Sequence, residues 1–511
     1  MDAVRGPTRH ATFLALGLDE PPRAWQRRCL DSLSSAGVSR AESRAPDLVL
    51  ELGDVGTVED PDLASKPRWG RWQFRVDGRG IENVEDVCRE ALLSGRYSVR
   101  ARLTAARCVG DAVIIREGRL PLLSHSLEAS VASIHEELGR WPAYAARYLA
   151  RTSRLDGPRI VRDSVLDPDL VAPSEPDPPS RFRRWGRRSA CLARTGWNGL
   201  RAALQTLFRH DHWNVGVVRK PIQAFLSPGP EEEVEWWPTR PRAGFRADPF
   251  GVRREGRLLM LYEELDYSSG RGRIVGEARG EDEARADRTG RRGDGADVRR
   301  GVAMGGTGHF SYPYLFEHES ELYCVPETAD RRRVALYRAV DFPTSWEEVA
   351  TLLEGVAALD STLFRHEGRW WLFAADRDAG PRHVLKAWHA SDLTGTWRAH
   401  AANPVKVDVH AARPGGTPFR HGGDLYRPAQ DGARSYGEAV VINRVLELTP
   451  ERFAEKAVRR VTLPSDGPYP DGIHTLAAVG PELTLVDGNR RRFSAAEFRR
   501  RVGTLSGRGG G

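Results

Sequence analysis

One short phrase opens five times in the C-terminal half of this chain, roughly once every 50 to 65 residues. The openings are Asp248-Pro-Phe-Gly-Val, Tyr312-Pro-Tyr-Leu-Phe, Asp360-Ser-Thr-Leu-Phe, Arg413-Pro-Gly-Gly-Thr and Asp471-Gly-Ile-His-Thr. Each is a polar residue followed by a short apolar strand, a tight polar turn and a second apolar strand. A hairpin repeated five times at that period predicts a five-bladed β-propeller, in which equivalent positions of every blade converge on one axis. Asp248, Tyr312, Asp360, Arg413 and Asp471 are therefore expected to ring a central channel.

The rest of the chain sets the frame. Residues 1–150 alternate strand-like segments (His10–Leu16, Asp47–Leu52, Tyr97–Leu103, Ala112–Arg116) with helical spacing at Pro22–Ala36 and Ser126–Leu149, the pattern of a small α/β domain. Residues 151–212 hold a Pro- and Asp-rich linker and then a basic stretch, Arg183–His210, carrying Trp185, Leu192, Trp197, Leu200, Leu204 and Phe208. That stretch suits amphipathic helices packed on the neighbouring domain, with peripheral membrane contact as the alternative. The propeller is placed at 213–500, starting near Trp213 and ending near Phe493. A charged, Gly-rich loop is expected across Arg273–Arg300, and residues 501–511 form a loose tail.

Composition narrows the function. Hydrophobic content is 40%, charged content 29% and net charge +7, with only five lysines, so the basic excess is almost all Arg. No basic run is interleaved with aromatics as a nucleic-acid platform requires, and nucleic acid is not an expected partner. Five scattered cysteines with no C-x-x-C pair argue against a disulfide framework and a zinc ribbon. The N-terminal residues contain no long apolar stretch, so neither a signal peptide nor a membrane span is expected, and the cytoplasm is the default location.

The candidate chemistry lies in the ring. Asp248 and Asp360 facing one pocket can serve as base and acid, or nucleophile and acid, on a glycosidic bond, provided their neighbours separate their pKa values. A third carboxylate is sought at Glu327 or Glu438; spacing does not choose between them. Arg427, Gln430, Asp431 and Tyr436 fall within ten residues and offer a donor fork, a mixed donor and acceptor, an acceptor and a stacking face. They fit a sugar ring, or equally a buried network between blades. His474 follows Asp471 by three residues and can point into the channel toward a water or cation. No other His or Cys stands at metal spacing, so no metal and no cofactor is expected. One Trp of each pair Trp236-Trp237 and Trp370-Trp371 is expected in the core, leaving the other for a sugar-binding rim.

Several of these phrases, Phe245-Arg-Ala-Asp-Pro-Phe, Ser311-Tyr-Pro, Asp360-Ser-Thr-Leu-Phe, Trp370-Trp-Leu-Phe, Asn403-Pro-Val, Arg427-Pro-Ala-Gln-Asp and Tyr436-Gly, resemble the propeller region beside the glycosyltransferase domain of plant glucosamine inositolphosphorylceramide transferases, which bacterial stand-alone relatives also carry. The resemblance spans roughly residues 213 to 493 and leaves out the transferase domain. The architecture is more remotely similar to arabinanase- and levansucrase-type glycosidases, which use two Asp and one Glu around the channel. There the second Asp opens blade two, whereas here Tyr312 does and Asp360 opens blade three. The N-terminal domain resembles a degenerate formyltransferase: Asp111 can be matched, but Arg68-Trp-Gly-Arg-Trp-Gln-Phe stands where Asn and His are needed.

These readings imply a carbohydrate-active protein that cleaves or transfers a glycosyl unit of a glycan or glycoconjugate in the channel. A non-catalytic glycan-recognition module is the alternative, and formyl or acyl transfer to an amino sugar a second one.

Overall fold

The computed structural model describes residues 11–16, 18–41, 46–53, 67–106, 112–154, 181–208, 210–238, 244–280, 298–492 and 498–499. Much of the expected 151–180 linker, the 501–511 tail and Asp111 lie outside these residues.

The N-terminal α/β unit is a seven-stranded mixed sheet. Thr12–Leu16, Leu48–Glu51 and Arg71–Val76 run parallel, and Ser98–Ala106 and Ala112–Pro121 add antiparallel strands on one side. Trp72 and Phe74, from the Arg68–Phe74 phrase, are buried in its core. Helices Ala24–Ser35, Val84–Ser94, Leu127–Leu138 and Trp141–Thr152 complete the unit. The single long helix expected over Ser126–Leu149 is thus two. The first is capped by the Ser126 hydroxyl accepting from Ala129 N–H, and a new helix starts after Gly139-Arg140 with Pro142 in its first turn, where a missing N–H costs nothing.

Five sheets of antiparallel strands form the propeller. Blade one runs from Gly244–Arg254 to Arg299–Met304, blade two from Ser311–His318 to Ser345–Glu354, blade three from Ala358–His366 to Arg398–Ala399, and blade four from Phe419–His421 to Phe453–Val461. Blade five combines Leu476–Val479 and Leu483–Arg492 with His210–Val218 and Glu235–Trp236 from the start of the propeller. Nine residue pairs, from Thr484–Val218 to Arg492–His210, zip the two ends together, so the ring closes through hydrogen bonds and leaves no open edge between its ends.

The stretch Arg273–Arg300 is not loop throughout: Arg271–Gly280 and Arg299–Met304 are the outer strands of blade one, and only 281–297 falls outside the described residues. Its charges are accommodated because Glu277, buried, pairs with Arg279 and accepts from the Tyr262 hydroxyl. The basic helix, Arg181–Phe208, does lie on the N-terminal unit, but through Cys191, Thr195 and Asn198, while Leu192, Trp197, Leu200 and Leu204 are exposed.

The N-terminal sheet also contacts the propeller. Arg119 bridges to Asp408, the Arg116 guanidinium donates to the Pro404 carbonyl at 2.6 Å, Ser98 Oγ lies 2.9 Å from His410 Nε2, and Val407 belongs to the N-terminal core. The segment anchored this way runs directly into Arg413.

Candidate functional site

The first strands of blades one, two and three share one irregularity. Pairing with the second strand skips two residues, between Ala247 and Phe250, Ser311 and Tyr314, and Leu359 and Thr362. The first residue skipped is Asp248, Tyr312 or Asp360, and each has a left-handed backbone, with φ of 52°, 41° and 53°. Non-glycine residues avoid this region, and such outliers persist only where the surroundings hold them. Here the holding groups are buried carboxylates. Asp248 N–H donates to Asp487 Oδ2 (3.1 Å), Tyr312 N–H to Asp248 Oδ2 (3.2 Å) and Asp360 N–H to Glu327 Oε2 (3.1 Å).

Asp487, Glu327 and Glu263 occupy similar places on second strands, each where the apolar run stops; Glu327 ends its strand, while the strands of Glu263 and Asp487 continue past them. With Asp248 and Asp360 they make five buried carboxyl groups, facing two cationic side chains, Arg413 and His474. Arg413 grips Asp360 with both Nε and Nη2, the latter at 3.1 Å, and reaches Glu327 at 3.9 Å. Gln430 Nε2 donates to Asp360 at 2.6 Å, while its buried Oε1 has no hydrogen-bond partner. His474 sits between two carboxylates, Nε2 3.3 Å from Asp248 and Nδ1 2.7 Å from Asp487, with the Trp213 ring 4.0 Å away. Thr475 Oγ1 donates to Asp248. The Tyr312 hydroxyl, 3.0 Å from Thr362 Oγ1, accepts from Gly416 N–H.

Burial, and after it the crowding of acids around Arg413 and His474, shapes the proton affinities. Burial pushes Glu327 up to about 8, with neighbouring Asp360 adding to the shift and Arg413 opposing it. Burial also lifts Asp248 to about 6, against the pull of His474. Glu263 is raised well above the ordinary range, first by burial and then by Asp248, Glu327, Asp360 and Asp487. For His474 burial disfavours the charge, but Asp487 and Asp248 outweigh it and raise the imidazole to about 9. Near neutral pH the ring therefore holds an imidazolium, a protonated Glu327 and an Asp248 that is mostly ionised. Asp248, His474 and Asp487 also offer ligand atoms within 4.8 Å of one another. A metal ion would need His474 neutral, which the flanking carboxylates oppose.

Of the residues singled out from the sequence, Asp248, Tyr312, Glu327, Asp360, Arg413, Gln430 and His474 come together. Tyr436 joins at the rim: it is 40% exposed, lies under the Arg413 guanidinium at 5.2 Å and turns its edge to His474. Four do not join. Asp471 lies in a turn before the first strand of blade five and accepts from Arg491 N–H, so blade five contributes His474 and Asp487 instead. Glu438 pairs with Arg434 and Arg460, so the third carboxylate of the ring is Glu327. Asp431 binds His410 and Arg460. Arg427 is fully buried, clamped to Glu455 and donating to the Ala411 and Ala412 carbonyls, which is the network alternative. Both Trp370 and Trp371 are buried, leaving neither for a rim; Trp213 is the indole beside the ring. Glu263, Asp487, Thr475 and Trp213 were missed, although in blades one, two and five an acid closing the apolar run of the second strand (Tyr262-Glu263, Pro326-Glu327, Val486-Asp487) was a readable signal.

Beside the ring, between blades five and one, lies a cleft of about 1000 Å³ whose lining includes Trp213, Phe245, Arg246, Glu264 and Arg273. It does not contain the carboxylates; Trp213 separates it from His474.

The comparisons agree with the motif resemblance. Residues 239–466 match the family described as "Glucosamine inositolphosphorylceramide transferase 1, N-terminal". Glucosamine inositolphosphorylceramide transferase 1 of Oryza sativa subsp. japonica is 33% identical over 222 residues, 42% of this chain and 28% of the relative. The Arabidopsis thaliana protein of that name is 34% identical over 163 residues, 31% of this chain and 21% of the relative. The chain thus spans less than a third of the length of these relatives. Among solved structures, an exo-β-1,3-galactanase from Clostridium thermocellum overlaps at a TM-score of 0.33 with 12% identity, covering 44% of this chain and 53% of that one. A putative glycoside hydrolase from Bacteroides ovatus overlaps at 0.34 with 12% identity, covering 53% and 96%. Overlaps this loose have no bearing on the site.

Proposed function

We propose that the propeller, in the region that matches the transferase family, is a carbohydrate-active enzyme unit that cleaves or transfers a glycosyl group at the inner ring. The observation that carries this reading is that five buried carboxyl groups converge on one ring around Arg413 and His474, with Glu327 and Asp248 held at different proton affinities, about 8 and about 6. An acid and a base held at different proton affinities are what glycosidic chemistry requires.

In this reading Glu327, protonated near neutral pH, donates to the leaving oxygen. Asp248 is the second carboxylate, acting as nucleophile or as base toward the incoming hydroxyl. Arg413 and Gln430 fix Asp360, which in turn keeps the proton on Glu327. His474 and Thr475 orient Asp248. Tyr436, the exposed aromatic at the rim, supplies a flat apolar face of the kind that covers sugar rings.

The test is mass spectrometry of a mixed pool of glycans, glycolipids and nucleotide sugars incubated with the wild-type protein or with Asp248→Asn. A mass change produced by the wild type alone is expected. No change with either, alongside saturable sugar binding by both, would replace this reading with a recognition module.

A further inference from the structure

We propose that the helix Arg181–Phe208 docks the protein on an anionic lipid surface. The argument is independent of the chemistry of the ring. This 28-residue helix contains seven arginines and no acidic residue. One side is committed to the N-terminal unit: Cys191 and Thr195 are buried, Asn198 donates to the Ser124 carbonyl (3.0 Å), Arg194 to the Leu93 carbonyl (3.1 Å), and Arg187 pairs with Glu90 (3.3 Å). A soluble helix docked this way should turn its polar face outward. This one does the reverse. Trp197 is 65% exposed, Leu200 53% and Leu204 48%.

The angular arrangement identifies the partner. At about 100° per residue, Leu200 lies opposite Cys191, and Ala193, Trp197 and Leu204 fall within roughly 60° of Leu200. Arg201 flanks this apolar strip on one side and Arg188 lies beyond its other margin. An apolar strip bearing Trp, bordered by cations and free of anions, is the pattern of a helix lying in the interface of a bilayer. A protein groove would have to be acidic at both margins to match it. An anionic membrane satisfies both requirements with a single surface: acyl chains for the strip, headgroups for the guanidinium groups. No described helix is long and apolar enough to cross a membrane, so this contact is peripheral.

The experiment is co-sedimentation of the full chain with vesicles of phosphatidylcholine alone or of phosphatidylcholine mixed with phosphatidylglycerol. Binding is expected to the mixed vesicles, to weaken as salt is raised, and to be at least about tenfold tighter than to neutral ones. Leu200→Glu combined with Leu204→Glu changes only exposed positions and should abolish it. Arg188→Gln with Arg201→Gln, which leaves the anchoring Arg187 and Arg194 in place, should weaken it by more than about fivefold. Absence of binding to either vesicle, or binding unchanged by the Glu substitutions, overturns the proposal. So does concentration-dependent self-association of the free protein that the Glu substitutions remove, because the strip would then be a contact between copies of the chain.

Discussion

Glu327 and Asp360 illustrate how one residue's environment fixes another's role. Asp360 is held by both arms of Arg413 and by Gln430, so its negative charge is anchored beside Glu327. That charge, added to burial, leaves Glu327 protonated near neutrality. If Glu327 is the acid, turnover falls as pH rises through about 8, and if Asp248 is the base, it falls as pH drops through about 6. Glu327→Gln keeps a carbonyl oxygen to accept Asp360 N–H but cannot deliver a proton. We expect about 10²- to 10⁴-fold slower turnover with the alkaline limb lost, measured as kcat against pH, and unchanged far-UV circular dichroism. Much of this cluster could be read from the sequence because first-strand residues carry the repeat. Asp487 and Glu263 could not be reached that way, since the repeat was followed only at its openings. Glu438, Asp431 and Arg427 were suggested by density of polar residues alone, which does not distinguish an inward side chain from one satisfied by Arg460 or Glu455.

At the level of elements, the ring depends on how each first strand departs from regular pairing. In blades one to three the two-residue skip turns a side chain inward at the cost of a left-handed residue. Blade four handles the same place with Gly415-Gly416. Gly416 has φ of 132°, its N–H donates to the Tyr312 hydroxyl, and a Cβ there would lie 1.8 Å from the Leu476 carbonyl oxygen. Backbone blocks any relief, so Gly416→Ala should lower stability by several kcal/mol, about 3 or more, and loosen the junction of blades four and five. Urea unfolding of the variant checks this; a loss below about 1 kcal/mol would show that the junction yields. The five hairpins were legible because strand–turn–strand repetition survives sequence drift. The outer strands of blade one were not, because Arg271–Gly280 satisfies its charges by cross-strand pairs such as Arg273–Glu264, and composition alone then looks like loop.

The whole molecule carries the ring's unusual protonation as a dependence of stability on pH. For Asp248 and Glu327 the folded-state affinity is raised, from 3.8 to about 6 and from 4.5 to about 8, so the native protein holds protons that the unfolded chain has released. His474 rises from 6.5 to about 9. Its contribution is complete below pH 6.5 and is lost as pH climbs through 9. All three have one sign: stability declines as pH rises between about 4 and 9, at up to about 1.4 kcal/mol per pH unit for each excess proton. An opposite arm comes from His135, His212 and His400, which burial lowers to about 4; their contribution is present above pH 6.5 and lost on acidification. Two opposed arms place the maximum close to neutrality, with Glu327 and His474 of the ring, and His410 raised by Asp431 outside it, on the alkaline arm. Glu327→Gln should flatten that arm between pH 5 and 8 without touching the acid one. Thermal unfolding of wild type and variant across pH 5 to 9 tests this. A stability difference that stays constant with pH would mean that Glu327 does not carry the excess proton, and the acid assigned to the ring would have to be sought at Glu263, whose affinity burial and four carboxylates raise still further from the ordinary range.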